Sequence, residues 1–285
     1  MDSAPRVGQG SGLATFFLVT FATTWGFWSI AILLGEPPTT FPTVVPFLLG
    51  GFGPVFGAIA VRLRRRRLGE PVPGHTVRVR LNGRLLWALP LLVLAAGTVA
   101  GGALLAQALG GPVVGLDGGQ QLMAAAGGAV PFFVSMLVAG PLAEEPGWRG
   151  TAYPRLLATT GRLRACLVLG VAWAIWHLPL FFVTGTVQSG FGLIGWSGLL
   201  FTLSVFPMAL LTGFAYELGG VPAAITVHFG VNATAAVLSA YSPATQVVVL
   251  AVQLLVAVPI ILGPRRSHGA ASASVGVSRD ARTAG

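Results

Sequence analysis

Eight long apolar runs leave this chain few ways to fold. Each run holds about 20 residues, which as an α-helix would cross the ~30 Å hydrocarbon core of a bilayer. Only 9% of the residues are charged, against about a quarter in a soluble domain. We therefore predict an all-α, polytopic membrane helix bundle with about eight transmembrane helices. The runs cover residues 13–34, 44–61, 85–109, 121–143, 163–183, 192–215, 220–239 and 243–263.

The two ends of the chain differ in composition from the apolar region between them. Residues 1–11 form a polar N-terminal segment, and residues 12–263 form the predicted transmembrane domain. Residues 264–285 are rich in Ser, Ala and Gly, which predicts a disordered C-terminal tail. The only cysteine, Cys166, lies inside an apolar run. Disulfides within the chain, iron–sulfur ligation and a multi-cysteine zinc site are therefore excluded.

The net charge of +9 comes from arginines clustered between the apolar runs, as at 62–67 and 265–266. Such clusters mark cytoplasmic loops, so eight crossings would place both termini in the cytoplasm. The arginines form no basic face mixed with aromatics. We therefore predict the lipid bilayer, and no nucleic acid, as a partner. No lysine occurs among the 17 basic residues, which together with abundant Ala, Gly and Val suggests a high-GC bacterial genome and a bacterial plasma membrane.

A few ionisable residues lie where a membrane helix is expected to be apolar. Glu144 and Glu145 end a long apolar stretch, and His177 and His228 lie inside runs five and seven. These side chains fall roughly 14 to 22 Å from the cytoplasmic ends of their helices, if run four continues as a helix past a kink at Pro146. Ionisable groups at such depth usually face a functional polar cavity. We therefore predict an intramembrane cavity lined by these residues.

Two further side chains stand at helical spacing from these groups. Arg149 follows the glutamates by four or five residues, close enough on a helix to orient or neutralise one carboxylate. The adjacent glutamates point about 100° apart, so one can face the cavity while the other is held by its neighbours. Asn232 follows His228 at i+4, which places an imidazole and a carboxamide on one helix face.

These residues also form three sequence motifs. The segment EEPGWRG at 144–150 resembles the EExxxR motif of the CAAX-protease and bacteriocin-processing family. His177 stands at the histidine of the family's FxxxH motif, with Trp173 in place of Phe, and His228 with Asn232 matches HxxxN. The resemblance covers about residues 130–239 and implies an eight-helix bundle with a cavity open toward cytoplasm and lipid. The catalytic residues that it implies are Glu144, Glu145, Arg149, His177, His228 and Asn232.

The resemblance implies a glutamate-dependent intramembrane protease that acts on membrane-associated peptides or proteins. Glu144, helped by His177, would deprotonate a water molecule. His228 and Asn232 would donate hydrogen bonds to the oxyanion. The second glutamate and the arginine would hold the first glutamate in place. If the genome is bacterial, bacteriocin leaders or signalling proteins are more natural substrates than prenylated C-termini.

A metal-dependent mechanism stays open as an alternative. One glutamate and both histidines could bind a divalent ion such as zinc and leave a position for water. The HExxH signature of soluble zinc proteases is absent, and Asn is a poor zinc ligand. We therefore expect no certain cofactor and keep zinc as the alternative.

Other functions compete with this prediction. The segment GWSG at 195–198 resembles the GxSG loop of rhomboid serine proteases, but it would leave the glutamates unexplained. An aspartyl protease is disfavoured because Asp117 lies in a loop and no apolar run contains an aspartate. A transporter that relays protons through Glu, Arg and His is a second alternative, and a non-catalytic immunity or scaffolding protein is a third. Glu217, in the turn before run seven, is expected to be exposed to water.

Overall fold

The computed structural model describes residues 12–70 and 83–264. Every regular element in these two ranges is helical, so the all-α prediction is confirmed. The predicted N-terminal segment 1–11 and the tail from residue 265 lie outside the described residues. The α-helices are α1 (Leu13–Leu34), α2 (Val44–Gly51), α3 (Gly53–Arg67), α4 (Ala88–Ala108), α5 (Asp117–Ala125), α6 (Ala129–Ala139), α7 (Pro141–Gly147), α8 (Tyr153–Thr160), α9 (Arg162–Trp176), α10 (Val187–Phe191), α11 (Trp196–Gly219), α12 (Val221–Val237) and α13 (Pro243–Leu262).

Five helices are long and apolar enough to cross a membrane, and two bent pairs bring the number to as many as seven. The pairs are α2 with α3, bent by 50°, and α5 with the helical stretch Ala129–Thr160, bent by 83°. The run at 220–239 forms α12, which has 17 residues and spans about 26 Å. The predicted polytopic bundle is confirmed, and at least one of the eight predicted crossings is shorter than a standard span.

Helix α7 lies between two groups of packed helices. On one side α1 packs along α3, and α3 packs on α7. On the other side α12 contacts α7 and packs on α4 and α11, while α11 packs on α9 and α13. Both glutamates of α7 are buried as a result. This arrangement places the glutamate pair in the interior of the bundle.

Small residues let α3 approach its neighbours closely. A Cβ atom at Gly53 would collide with Thr24 of α1, and a Cβ atom at Gly57 would collide with Thr20. Glycines four residues apart on a membrane helix commonly allow such close helix packing. On the other side of α3, a Cβ atom at Gly147 would collide with the backbone of Pro54. Glycine at these positions therefore fixes the distance of α3 from α1 and α7.

The fourth apolar run continues as a helix beyond the glutamates, as predicted. The interruption lies at Gly140, which has φ −123° and ψ −98°, and α7 begins at the next residue, Pro141. Proline fits the first helical position because its missing N–H would have no partner there. Pro146 lies inside α7, so the break falls ahead of the predicted kink. A π-helix, Trp148–Ala152, then joins α7 to α8.

The prediction that Glu217 is exposed to water is wrong. Its side chain is only 13% exposed and forms an ion pair with Arg162, at 3.0 Å between Nε and Oε2. The Tyr153 hydroxyl donates a hydrogen bond of 2.7 Å to Glu217 Oε1. Arg162 also donates through Nη1 to the carbonyl oxygens of Ile261 and Gly263 at the end of α13. Arg162 therefore ties α9 to α11 and α13.

Single cysteines test the predicted orientation of the bundle. Asp117→Cys and Gly190→Cys, each in a Cys166→Ala background, should react with an impermeant thiol reagent added outside intact cells. Arg66→Cys should react only after the membrane is opened. All three positions are exposed, and a side chain at position 190 meets open space. Labelling of residue 66 from outside, with residue 117 protected, would reverse the orientation.

Candidate active site

The two glutamates of α7 face different surroundings, as their 100° separation on a helix predicts. Glu145 has no exposed side-chain surface, whereas Glu144 retains 5%. Glu145 Oε1 accepts hydrogen bonds from Arg149 Nη1 at 3.2 Å and from His228 Nδ1 at 2.8 Å. Glu144 makes neither of these contacts. One carboxylate is therefore held by two basic side chains, and the other remains available at the edge of the cluster.

The carboxylate that Arg149 holds is that of Glu145. The spacing of four or five residues in the sequence allows either glutamate as the partner, and in the structure the pair forms at i, i+4. The Arg149 side chain is itself 99% buried, with 1% exposed. A buried charge is costly unless it is paired. The Glu145–Arg149 contact therefore neutralises two charges in the interior and leaves Glu144 without a cationic hydrogen-bond partner.

Trp173 of α9 connects the elements of the site. Its indole Nε1 donates a hydrogen bond of 2.7 Å to Glu144 Oε2. Its backbone oxygen accepts a hydrogen bond of 2.8 Å from His177 Nδ1. The Arg149 guanidinium lies 4.3 Å from the indole centroid, and the ring meets His228 edge to face at 5.2 Å. Trp173 stands where the FxxxH motif has phenylalanine, and its indole supplies a hydrogen-bond donor that phenylalanine lacks.

His177 caps the C-terminus of α9, just before the 3₁₀ helix Leu178–Phe182. A backbone carbonyl can only accept a hydrogen bond, so the contact with Trp173 assigns the proton to Nδ1 and leaves Nε2 as the free acceptor of the neutral ring. The rings of Trp176 and Phe201 pack edge to face against the imidazole. In the described ranges, His177 and Glu144 are linked through Trp173 and share no direct hydrogen bond.

His228 and Asn232 stand one turn apart on α12, as predicted from their spacing. The His228 ring is buried and its Nδ1 faces the Glu145 carboxylate, so Nε2 is the atom left for other groups. Asn232 is partly exposed. Its carboxamide has no hydrogen-bond partner among the residues that the structure describes. Helix α12, which packs on α7, thus carries two polar groups that remain available to a substrate, His228 Nε2 and the Asn232 carboxamide.

The side chains do not fit a metal ion as they stand. Within residues 12–70 and 83–264, no three His, Cys, Asp or Glu side chains converge closely enough to hold one. The hydrogen bonds of Nδ1 in both histidines and of Glu144 Oε2 leave Nε2 and Oε1 as the atoms that could ligate. Because Glu144, His177 and His228 do not converge, binding of zinc by these three residues would require their side chains to move.

The serine and the aspartate of the rival proteases take no part in the hydrogen bonds of this cluster among the described residues. Ser197 belongs to the first turn of α11, and His228, its supposed base, is bonded through Nδ1 to Glu145. Asp117 is exposed at the start of α5. The part of the chain that the structure describes shows no hydrogen bond between Ser197 and a histidine. The arrangement needed for a serine protease is therefore not formed.

Comparisons with known proteins bear on the same region. Residues 126–234 match a family model described as type II CAAX prenyl endopeptidase Rce1-like, and this range contains all six predicted site residues. A protein named CAAX prenyl protease 2, from Methanococcus maripaludis, is 34% identical over 136 residues. That match covers 47% of this chain and 49% of the relative. The chain is thus matched to about half the length of this curated relative.

Proposed function

Because the chain belongs to the CAAX protease family through residues 126–234, we propose that it is an intramembrane endopeptidase that hydrolyses membrane-associated peptides or proteins. The observation that carries the proposal is that the two buried glutamates have different hydrogen-bond partners. Glu145 is bonded to Arg149 and His228. Among the described residues, Glu144 Oε2 is bonded to Trp173 of the His177 helix, whereas Oε1 has no hydrogen-bond partner and lies toward Gly140. A general base needs such a free oxygen.

Glu144 is the proposed general base. Its Oε1 atom takes a proton from a water molecule, whose oxygen attacks the carbonyl carbon of the substrate. His177 contributes through Nε2, which can accept a second hydrogen bond from the same water and fix its lone pair toward the carbonyl. When the tetrahedral intermediate collapses, the proton passes from Glu144 to the leaving nitrogen and the C–N bond breaks. The base is then unprotonated for the next turnover.

His228 and Asn232 are the proposed donors to the oxyanion. Asn232 offers its amide N–H groups, and His228 offers Nε2–H when the ring carries both protons. A preorganised donor near the developing charge lowers the barrier without reorganisation. Glu145 supports this side of the site, because its carboxylate holds His228 and is itself paired with Arg149. Each glutamate thus serves one half of the reaction.

The proposed substrates are peptides or proteins anchored in the membrane. The name of the Methanococcus relative refers to prenyl proteins, whereas the sequence composition favours unprenylated bacterial substrates.

Purified protein in proteoliposomes should be offered matched lipid-anchored peptides with and without a prenyl group, followed by mass spectrometry of the products. Retention of peptides by a Glu144→Gln variant would identify native substrates. Absence of cleavage of every anchored peptide would count against proteolysis.

Removal of metal ions should leave activity within about twofold of the untreated protein. The proposed mechanism uses a carboxylate and an imidazole, and neither needs an ion to activate water. The test is the cleavage rate of an anchored peptide before and after exhaustive chelation. Loss of activity that returns on adding zinc would contradict the proposed mechanism and reassign His177 and His228 as ligands.

A further inference from the structure

We propose that Trp173 is a positioning residue that holds Glu144 in its reactive orientation, an inference that rests on the proposed proteolytic function. In the described ranges, the indole N–H supplies the hydrogen bond to the Glu144 side chain, at 2.7 Å to Oε2. A free glutamate samples several rotamers, and ordering it costs conformational entropy. The indole removes this freedom before the substrate binds. It thereby determines which carboxylate oxygen acts as the base.

The geometry around Glu144 selects Oε1 as that oxygen. Oε2 is occupied by the indole donor. Oε1 points toward Gly140, whose missing side chain leaves room beside the carboxylate, since a Cβ atom there would stand 3.9 Å from Oε1. Gly140 is also the residue at which α6 and α7 part. The open side of the carboxylate therefore faces the helix break, where a water molecule can approach.

The orientation of the indole is itself fixed by its neighbours. The Arg149 guanidinium lies over the ring at 4.3 Å, a cation–π contact that sets the ring plane. His228 meets the same ring edge to face at 5.2 Å, and the side chain of Trp173 is only 2% exposed. The Nε1–H vector is thus aimed at Glu144 by packing. Arg149 and His228 therefore help to fix the indole that holds Glu144.

Trp173→Phe tests the hydrogen bond while keeping an aromatic ring in place. Loss of one hydrogen bond to a charged group corresponds to about 10-fold to 100-fold in rate. We expect kcat to fall by this factor with KM within about twofold, because the base loses its orientation and the substrate site is unchanged. The measurement is the steady-state cleavage of an anchored peptide in proteoliposomes.

Trp28→Phe is the matched control. Trp28 of α1 is 2% exposed, like Trp173, and its indole donates an equivalent hydrogen bond of 2.9 Å to the carbonyl oxygen of Phe47. Its ring packs against Phe47 and Trp176 rather than against a proposed catalytic side chain. Both variants lose one indole hydrogen bond and the same volume, so a purely structural role predicts equal effects. We expect similar losses of thermal stability but a kcat for Trp28→Phe within about twofold of the parent protein. Equal kcat values for the two variants would overturn the role of Trp173.

Two further measurements separate this inference from the function on which it rests. In a Glu144→Gln background, Trp173→Phe should lower the residual kcat by no more than about twofold, because no base is left to orient. A full additional 10-fold loss would contradict the inference. Independently of activity, the ¹⁵N–¹H indole signal of Trp173 should shift in Glu144→Gln, and that of Trp28 should not. An unmoved Trp173 signal would refute the positioning contact, whereas a parent protein that cleaves nothing would refute the proposed function.

Discussion

Replacing Glu144 with glutamine is expected to lower kcat by about 10²-fold to 10⁴-fold, with KM largely unchanged. Glutamine has nearly the same volume, and its amide oxygen can still accept the hydrogen bond that Trp173 Nε1 donates at 2.7 Å. The substitution therefore keeps the packing and removes only the ability to accept a proton from water. Initial rates of cleavage of an anchored peptide measure the effect.

Ser197→Ala is the control for this experiment. Ser197 lies in the first turn of α11 and takes no part in the hydrogen bonds of the glutamate pair among the described residues. Its replacement should change kcat by less than about twofold. A rhomboid-like serine protease would instead lose all activity with this variant. Full proteolysis by Glu144→Gln would rule out the proposed mechanism, whatever the response of Ser197→Ala.

Replacing Arg149 with methionine is expected to lower the free energy of unfolding by about 3–5 kcal/mol, the range for breaking a buried ion pair. Glu145 has no exposed side-chain surface and would keep His228 as its hydrogen-bond partner. Methionine fills much of the lost volume, so the effect reports the uncompensated carboxylate rather than a cavity. Unfolding in mixed detergent micelles provides the measurement.

A double variant distinguishes charge from packing. Glu145→Met combined with Arg149→Met removes both buried charges, and such replacements are often neutral or stabilising. We expect most of the lost stability to return, while proteolysis stays low because His228 has lost the carboxylate that orients its ring. A single Arg149→Met variant as stable as the parent protein would show that the ion pair contributes little.

The helical architecture could be predicted from the apolar runs, because each run must satisfy its backbone hydrogen bonds internally when water is absent. The clustering of Glu144, Glu145, His177 and His228 could also be predicted. Isolated ionisable groups at membrane depth are costly, and their mutual approach lowers that cost. Both predictions depend on the same energetic cost, that of leaving polar or ionisable groups without partners in the membrane, and this cost constrains many residues alike.

The choice of partners within the site could not be predicted from the sequence. Arg149 is spaced to reach either glutamate, and the difference between i+4 and i+5 on a helix is settled by packing. The Trp173 contact depends on the direction of one N–H bond, which residue spacing does not define. Glu217 pairs with Arg162 across 55 residues of chain. The local sequence around Glu217, from which its exposure to water was predicted, does not indicate a partner so distant in the chain.

The π-helix Trp148–Ala152 changes which residues face inward in the helical stretch that follows the glutamates. A π-turn closes its hydrogen bond at i+5 and inserts one residue relative to an α-helix, so the positions that follow are rotated by about 100°. Leu142 and Pro146, one turn apart, are less buried than their neighbours, yet every residue from Gly147 to Tyr153 is buried. A search for helical periodicity that keeps a constant 3.6-residue repeat through this stretch would therefore assign the inward face of α8 one residue out of register.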